Sequence, residues 1–238
     1  MANLGKYFDA SYLWNAFPQL LPFLKVTFIV TLFAVIFGLI LGWLLTMAKL
    51  SRYRSLRFLA STYITIMRCT PSIVLLFLIY YGVPLIFENF HINLHDLHSA
   101  YFVIITFALQ FAGIISEVIR SAYLSVPTGQ YEAAVSVGLT PFQAYKRIIF
   151  PQALLVALPN LGNSLIALLQ EGALAYTIGL IDIVGKAQLM VAANINAHAL
   201  EIFIALAIIY WGLSLLIDKI FSLLEKSLNK GKKSLKMT

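Results

Sequence analysis

Residues 26–48 read VTFIVTLFAVIFGLILGWLLTMA, and not one of them is charged. At 1.5 Å per residue the run is about 35 Å long, enough to cross a hydrocarbon core of roughly 30 Å. It predicts a membrane-spanning helix, and the rest of the chain agrees. Of 238 residues, 61% are hydrophobic and 11% charged, whereas a soluble domain draws about 25% from Asp, Glu, Lys and Arg to face water. That shortfall excludes a soluble enzyme, and the wealth of aromatic and branched apolar residues excludes a disordered chain. Cys69 is the single cysteine, so neither an internal disulfide nor a paired-thiolate metal site is available.

Further spans are expected on both sides of this run. Residues 58–87 are interrupted only by Arg68, with Pro71 expected to kink the helix and Pro84 near its exit. Residues 99–116 are uncharged and are closed by Glu117 and Arg120; residues 152–170 and 202–217 complete the set, the last ending before Asp218 and Lys219. Residues 173–184 are apolar but short, bounded by Glu171 and interrupted by Asp182.

Charge sets the expected orientation. Lys49, Arg52, Arg54 and Arg57 cluster with no acid among them, and the tail adds Lys226, Lys230, Lys232 and Lys233 to a formal charge of +7. Both clusters flank apolar runs, so the positive-inside bias reads them as cytoplasmic and not as nucleic-acid patches. An even number of spans must then separate them, which leaves residues 173–184 as a re-entrant or surface helix on the outer side, shielded by protein. The expectation is an all-α membrane protein of five transmembrane helices in a single domain, 1–238, with the N-terminus outside and the C-terminus cytoplasmic. Within it, 1–24 is an outer interfacial segment, because residues 7–23 are aromatic and broken by Pro18 and Pro22. Residues 226–238 form a basic cytoplasmic tail. Lys6 is followed by Asp9, Asn15 and Pro18, unlike a cleaved signal peptide, so the first span doubles as the insertion signal.

The segment 117–151 is the longest stretch that lipid cannot bury. Thr128 can cap a helix over 130–137, and Gly138 supplies the permissive backbone for a turn. Thr140-Pro141-Phe142-Gln143 then starts a second helix with Thr as N-cap, Pro at the first position and Gln at the capping-box position. Pro151 is expected to stop it. Two short helices around a glycine make a knob, with Ala133 and Ala134 small enough for close approach by another protein. From the residues alone the knob is either a mere connection or a docking element.

Glu132-Ala133-Ala134, three residues, Gly138, nine residues, then Ile148-Ile149-Phe150-Pro151 resembles the EAA loop of ABC importer permeases, with Phe150 where Leu is usual. Arg68-Cys69-Thr70-Pro71 is similar to the family's Arg-Gly-Thr-Pro, and Ser125-Val126-Pro127-Thr128-Gly129-Gln130 to its Ser-Val-Pro-x-Gly-Gln. Ile178-Gly179 followed by Ala187-Gln188 also recurs, and together these segments resemble the polar amino-acid uptake branch. The chain departs from the pattern at Gln170-Glu171-Gly172-Ala173-Leu174, where many members have Lys-Asp-Thr-Ser-Leu, and at Gly113-Ile114, where Ala-Tyr is common.

The resemblance implies a type I importer permease in a bacterial cell membrane, working by alternating access. Its partners would be two copies of an ABC ATPase subunit holding ATP-Mg, an extracytoplasmic amino-acid-binding protein, a second permease copy or sister permease, and membrane lipid. The residues facing the ATPase would be Glu132, Ala133, Ala134, Gly138, Thr140, Arg147 and Pro151, with Lys146 also at the rim. The transported species would be cystine, glutamine, arginine or histidine. The residues agree in one negative respect: none of the three Gly-Lys pairs is followed by the Ser or Thr of a Walker A loop, Gly5-Lys6 preceding Tyr7, Gly185-Lys186 preceding Ala187 with Leu180 where the loop needs glycine, and Gly231-Lys232 preceding Lys233. The chain is therefore expected to be no enzyme and to hold no cofactor of its own.

For the substrate pathway the candidates are Arg68, Thr70, Gln110, Asn160, Asn163 and Glu171. A charge inside a span costs about 2.5–3.5 kcal/mol on insertion scales and needs a reason. Arg68 either forks onto a substrate carboxylate, satisfies carbonyls freed at Pro71, or snorkels to the surface. Glu171 either receives an ammonium group or is a helix-end acid facing water. Gln110, Asn160 and Asn163 either line the cavity or bond helix to helix. Glu117 and Arg120, three apart, read as a structural pair. His91, His95 and His98 at i, i+4 and i+7 would share a helix face suited to zinc, or else belong to a polar outer loop; no metal site is expected, and His198 has no evident partner. Rival classes are an ATP-independent channel or ion-coupled transporter, which often carries inverted repeats not visible here, and a methionine or osmolyte permease. An intramembrane enzyme lacks its motifs.

Overall fold

A computed structural model describes residues 8–229, and every regular element among them is helical. Lys6 and the lysines at 230, 232 and 233, on which the N-terminal and tail readings partly rest, lie outside the described residues. Four helical runs are long and apolar enough to cross a membrane: Ala10–Leu50, Ser99–Leu124, Pro141–Ile178 and Ala199–Asn229. The bent pair Arg54–Cys69 and Ser72–Glu88 makes a fifth if counted as one span.

The first run comprises α1 (Ala10–Leu20), a tight turn at Leu21–Phe23 and α2 (Leu24–Leu50). Asp9 caps α1, its carboxylate accepting from the Ser11 amide at 2.8 Å. Pro18 lies inside α1 and Pro22 in the tight turn, so neither breaks the chain as expected. One missing N–H is tolerable where packing is good, and at the start of a helical turn the N–H has no partner to lose.

Pro71 does more than kink. It stands between α3 (Arg54–Cys69) and α4 (Ser72–Glu88) with φ −57° and ψ 137°, outside the helical region, and the two helices are bent by 108°. The ring also pushes the preceding residue, Thr70, away from the helical region. By contrast α5 (Ser99–Leu124) runs straight past Glu117 and Arg120, and α10 (Ala199–Asn229) past Asp218 and Lys219. Charge ended the apolar stretch in each case but not the helix.

Between α4 and α5, residues 89–98 form turns, and His91 takes a left-handed φ of 58°. No helix stacks His91, His95 and His98; Asp96 instead accepts from the Asn93 side-chain amide. Residues 173–184 do not form the single re-entrant or surface helix that was expected. A tight helical turn covers Gly172–Ile178, Gly179 takes a left-handed φ of 83°, and α9 follows at Ile183–Ala193.

The described residues fall into two compact units, the division lying inside α2, α5, α8 (Phe150–Glu171) and α10. The first contains residues 8–36, Thr70–Ala108 and Ala167–Leu215. Its core joins Ala16 and Leu20 of α1 to Ile183, Ala187 and Met190 of α9 and Ile202, Ala205 and Ile209 of α10. So α1 is no bare surface helix. Polar groups pin the same core: the Asp9 amide donates to Glu201, which is 2% exposed, at 2.7 Å. Tyr12 stacks on His198 with ring centroids 4.0 Å apart and accepts from the Asn194 side-chain amide. His198 therefore has a partner in Tyr12, and its ring nitrogen lies 3.8 Å from Glu201; the stacking joins residues too far apart in sequence for spacing to reveal.

The second unit contains Phe37–Cys69, Leu109–Ile166 and residues 216–229. Here α3 meets α5 through Tyr63, whose hydroxyl donates to the Leu109 carbonyl at 3.0 Å. A Cβ on Gly113 would stand 3.1 Å from the Met67 Cβ, which gives a steric reason for glycine at the Gly113-Ile114 departure. Thr46 of α2 donates to the Ser116 carbonyl of α5 at 3.0 Å. Glu117 pairs with Arg120 at 2.9 Å, as its spacing suggested, and also with Lys49 of α2.

Candidate functional site

The knob lies in the second unit and consists of α6 (Thr128–Ser136), α7 (Pro141–Ala144) and a wide helical turn at Tyr145–Ile149 leading into α8. Pro127, and not Thr128, occupies the N-cap of α6, and no side chain caps it; with φ fixed by its ring, proline hands the chain into the helix one residue early. At the other end Gly138 has φ 88°, the Gly138 amide donates to the Val135 carbonyl at 2.9 Å and the Leu139 amide to the Ala134 carbonyl at 3.1 Å. This pair of bonds closes a Schellman turn. Thr140 then caps α7, its hydroxyl accepting from the Gln143 amide at 3.3 Å while the Gln143 side chain accepts from the Thr140 amide at 3.0 Å. The expected capping box is formed.

Pro151 does not end the second helix. The helical run continues from Pro141 to Ile178, with Pro151 as the second residue of α8. The Phe150 amide reaches back to the Tyr145 carbonyl, five residues earlier, so the turn before the proline is wider than an α-turn. Such a turn relieves the clash that a proline ring makes with the carbonyl four residues back.

The knob's residues divide by exposure. Ala134 is 5% exposed and Ala144 fully buried, so Ala134 serves the knob's own packing and is not available at its outer surface as expected. Tyr131 and Tyr145 pack with ring centroids 5.4 Å apart, and the hydroxyls of Tyr123 and Tyr145 share a hydrogen bond at 3.2 Å, tying the knob to α5. Facing outward are Glu132, Ala133, Gly138, Thr140, Lys146, Arg147 and Pro151. With them stand Val137, 79% exposed, and Phe142, 72% exposed, two apolar side chains that the EAA pattern does not name.

The six pathway candidates are spread over three helices and the break between α3 and α4. In the second unit Arg68 stands in the last turn of α3, exposed, and its aliphatic stem passes α5 close to Gly113; Gln110 is buried on α5. Asn160 and Asn163, three apart on α8, are both exposed and so share one face. In the first unit Thr70 is half-buried, and half-buried Glu171 closes α8 with its carboxylate accepting a hydrogen bond from the Ser72 side chain. Ser72 was not anticipated, because only the sharp turn at Pro71 brings the start of α4 to the end of α8.

Comparison with known proteins fixes the family. Residues 34–230 match the binding-protein-dependent transport system inner membrane components. The L-cystine transport system permease protein TcyL of Bacillus subtilis (strain 168) is 35% identical over 228 residues, covering 96% of this chain and 95% of that one. The putative glutamine transport system permease protein GlnP of Rickettsia felis is 34% identical over 221 residues, covering 91% and 97%. A crystal structure of an amino acid ABC transporter with histidines superposes with a TM-score of 0.79 at 30% identity, covering 92% of this chain and 99% of that one. The chain belongs to this family of inner membrane transport components; it is a multi-pass protein of the bacterial cell membrane with the type I importer permease fold.

Proposed function

We propose that the chain is the transmembrane subunit of an ATP-driven importer of a polar amino acid, cystine being the first candidate. The observation that carries this reading is the knob: the EAA segment folds into a capped helix–turn–helix that holds Val137 and Phe142 out of its own packing. Such side chains mark a protein interface. The likeness to cystine and glutamine permeases supports the substrate class.

In this reading the knob faces the cytoplasm, with the N-terminus outside and the C-terminus inside. Val137 and Phe142 enter a groove on one of two ATPase subunits, which bind ATP-Mg and supply the hydrolysis. Glu132, Ala133, Gly138, Thr140 and Arg147 set the fit at the contact, while Pro151 sets how the knob joins α8. Closure of the ATPase pair drives the knobs of two permease copies together and rocks the spans, exposing the pathway alternately to each side. An external binding protein delivers the amino acid.

Asn160 and Asn163 are amides exposed on a spanning helix, a placement that lipid penalises and that a second permease copy or an aqueous pathway relieves. Arg68 and Glu171 offer the substrate's carboxylate and ammonium complementary charges, with Thr70, Gln110, Asn160 and Asn163 as neutral donors and acceptors. Reconstitution with the ATPase and the binding protein tests the reading. Uptake of radiolabelled cystine should require both ATP and the binding protein, and uptake that persists without either would overturn it.

A further inference from the structure

Beside the knob, within the second unit, Trp43, Met47 and Leu50 of α2, Tyr123 of α5 and Phe142 and Tyr145 of the knob help to enclose a cavity of about 880 Å³. That volume is near the upper end of the range of roughly 300–1,000 Å³ seen for small-molecule sites. No lining residue is charged. The hydroxyl of Thr46 is already bonded to the carbonyls of Gly42 and Ser116, so the polar groups on the wall are the Tyr123–Tyr145 hydroxyl pair and the Trp43 indole N–H.

One edge of the cavity carries a cation. The Lys146 ammonium lies 5.9 Å from the centroid of the Phe142 ring, itself part of the wall. Arg52 is two residues along the chain from the lining Leu50, lies 5.1 Å over the Tyr53 ring and donates to the Tyr53 hydroxyl at 3.1 Å. Neither Lys146 nor Arg52 forms an ion pair among the described residues. The carboxylate of Glu117 is held by Lys49 and Arg120, and Glu132 sits on α6, none of whose residues lines the cavity.

We propose that this cavity is a selective site for an anionic phospholipid, an acyl chain lying among the apolar residues and the phosphate meeting Lys146 at the edge, with Arg52, in the loop two residues beyond Leu50, adding positive charge. An uncharged interior excludes a soluble anion, an unpaired cationic edge selects a negative headgroup over a zwitterionic one, and the phenol pair suits the ester oxygens between. The lipid would brace the joint between knob and spans from the side. The site depends on membrane residence and not on which amino acid is carried.

Trp43 reports on it directly. The full-length chain, with Trp14→Phe and Trp211→Phe so that Trp43 is its sole tryptophan, is reconstituted into vesicles containing brominated phosphatidylglycerol or brominated phosphatidylcholine with identical chains. Phosphatidylglycerol should half-quench Trp43 at a mole fraction about fivefold lower than phosphatidylcholine. Lys146→Glu should erase that preference, and Arg52→Glu should reduce it. Equal quenching by the two lipids would overturn the proposal in favour of ordinary boundary lipid, as would a preference that survives Lys146→Glu. Absence of quenching by both, with Trp43→Cys cross-linking to a second permease copy, would overturn it in favour of a protein occupant.

Discussion

The hydroxyl of Thr27 donates to the carboxylate of Asp182 at 3.2 Å across 155 positions of sequence, with both side chains buried. Asp182 is also the N-cap of α9, accepting from the Gly185 amide at 2.9 Å, while the Ile183 amide donates to the Thr27 hydroxyl at 3.3 Å. One carboxylate thus starts α9 and fastens it to the head of α2. Asp182→Ala removes the cap and strands the Thr27 hydroxyl and the Gly185 amide, which should cost about 2–3 kcal/mol. Thr27→Val should cost about 1 kcal/mol. Thermal melts of the purified protein in detergent would compare them, and an Asp182→Ala protein that melts with the wild type would remove the carboxylate from this role.

Gly138 is the position where the knob depends on one residue type. At φ 88° a side chain costs roughly 1–2 kcal/mol, and the Schellman bonds to Ala134 and Val135 oppose any relaxation. Gly138→Leu should leave the protein in the membrane but change the angle between α6 and α7. ATP hydrolysis by the assembled transporter should continue while uptake falls at least about tenfold, the energy of one lost coupling contact being on the order of 1.4 kcal/mol or more. Wild-type uptake by this variant would refute the knob's role in coupling.

How much of this was legible follows from the range of each interaction. The knob's turn and capping box are local, so Gly138, Thr140 and Gln143 declared them at three- or four-residue spacing. The apolar runs likewise announced the spans. What failed was punctuation. Glu117 looked like an end because its partner Lys49 lies 68 positions away, and Pro18 and Pro151 looked like breaks because the turns that accommodate them are invisible in a residue list. The pathway candidates carried no local signal beyond being polar in apolar helices, and Ser72 could not be found without the 108° bend beside it.

Glu171 and Ser72 define a test of substrate charge. If the carboxylate meets the substrate's ammonium group, Glu171→Gln should lower uptake of cationic amino acids more than that of neutral ones, by about tenfold in their ratio, the size of one lost charge-assisted hydrogen bond. Ser72→Ala frees the carboxylate of its protein partner and should shift the ratio by less. Competition of unlabelled arginine and glutamine against labelled cystine reads both variants, and an unchanged ratio in Glu171→Gln would take this residue out of the pathway.

Pro151 offers the sharpest separation of stability from coupling. Proline lacks the N–H that an α-turn would use, and its ring would press on the Arg147 carbonyl four residues back. The turn widens at that point, with Phe150 bonded to Tyr145. A wide turn inserts one extra residue into the helix and so rotates everything before it, including Phe142, relative to α8. Pro151→Ala restores the donor and removes the steric reason for the wide turn, so the helix can tighten into an unbroken α-ladder. Thermal stability should be unchanged or raised by about 1 kcal/mol. The tightened helix re-aims Phe142 and Val137, so ATP-driven uptake should fall several-fold in the same preparation. A variant that is both stable and fully active would mean that the direction in which the knob points does not matter to transport.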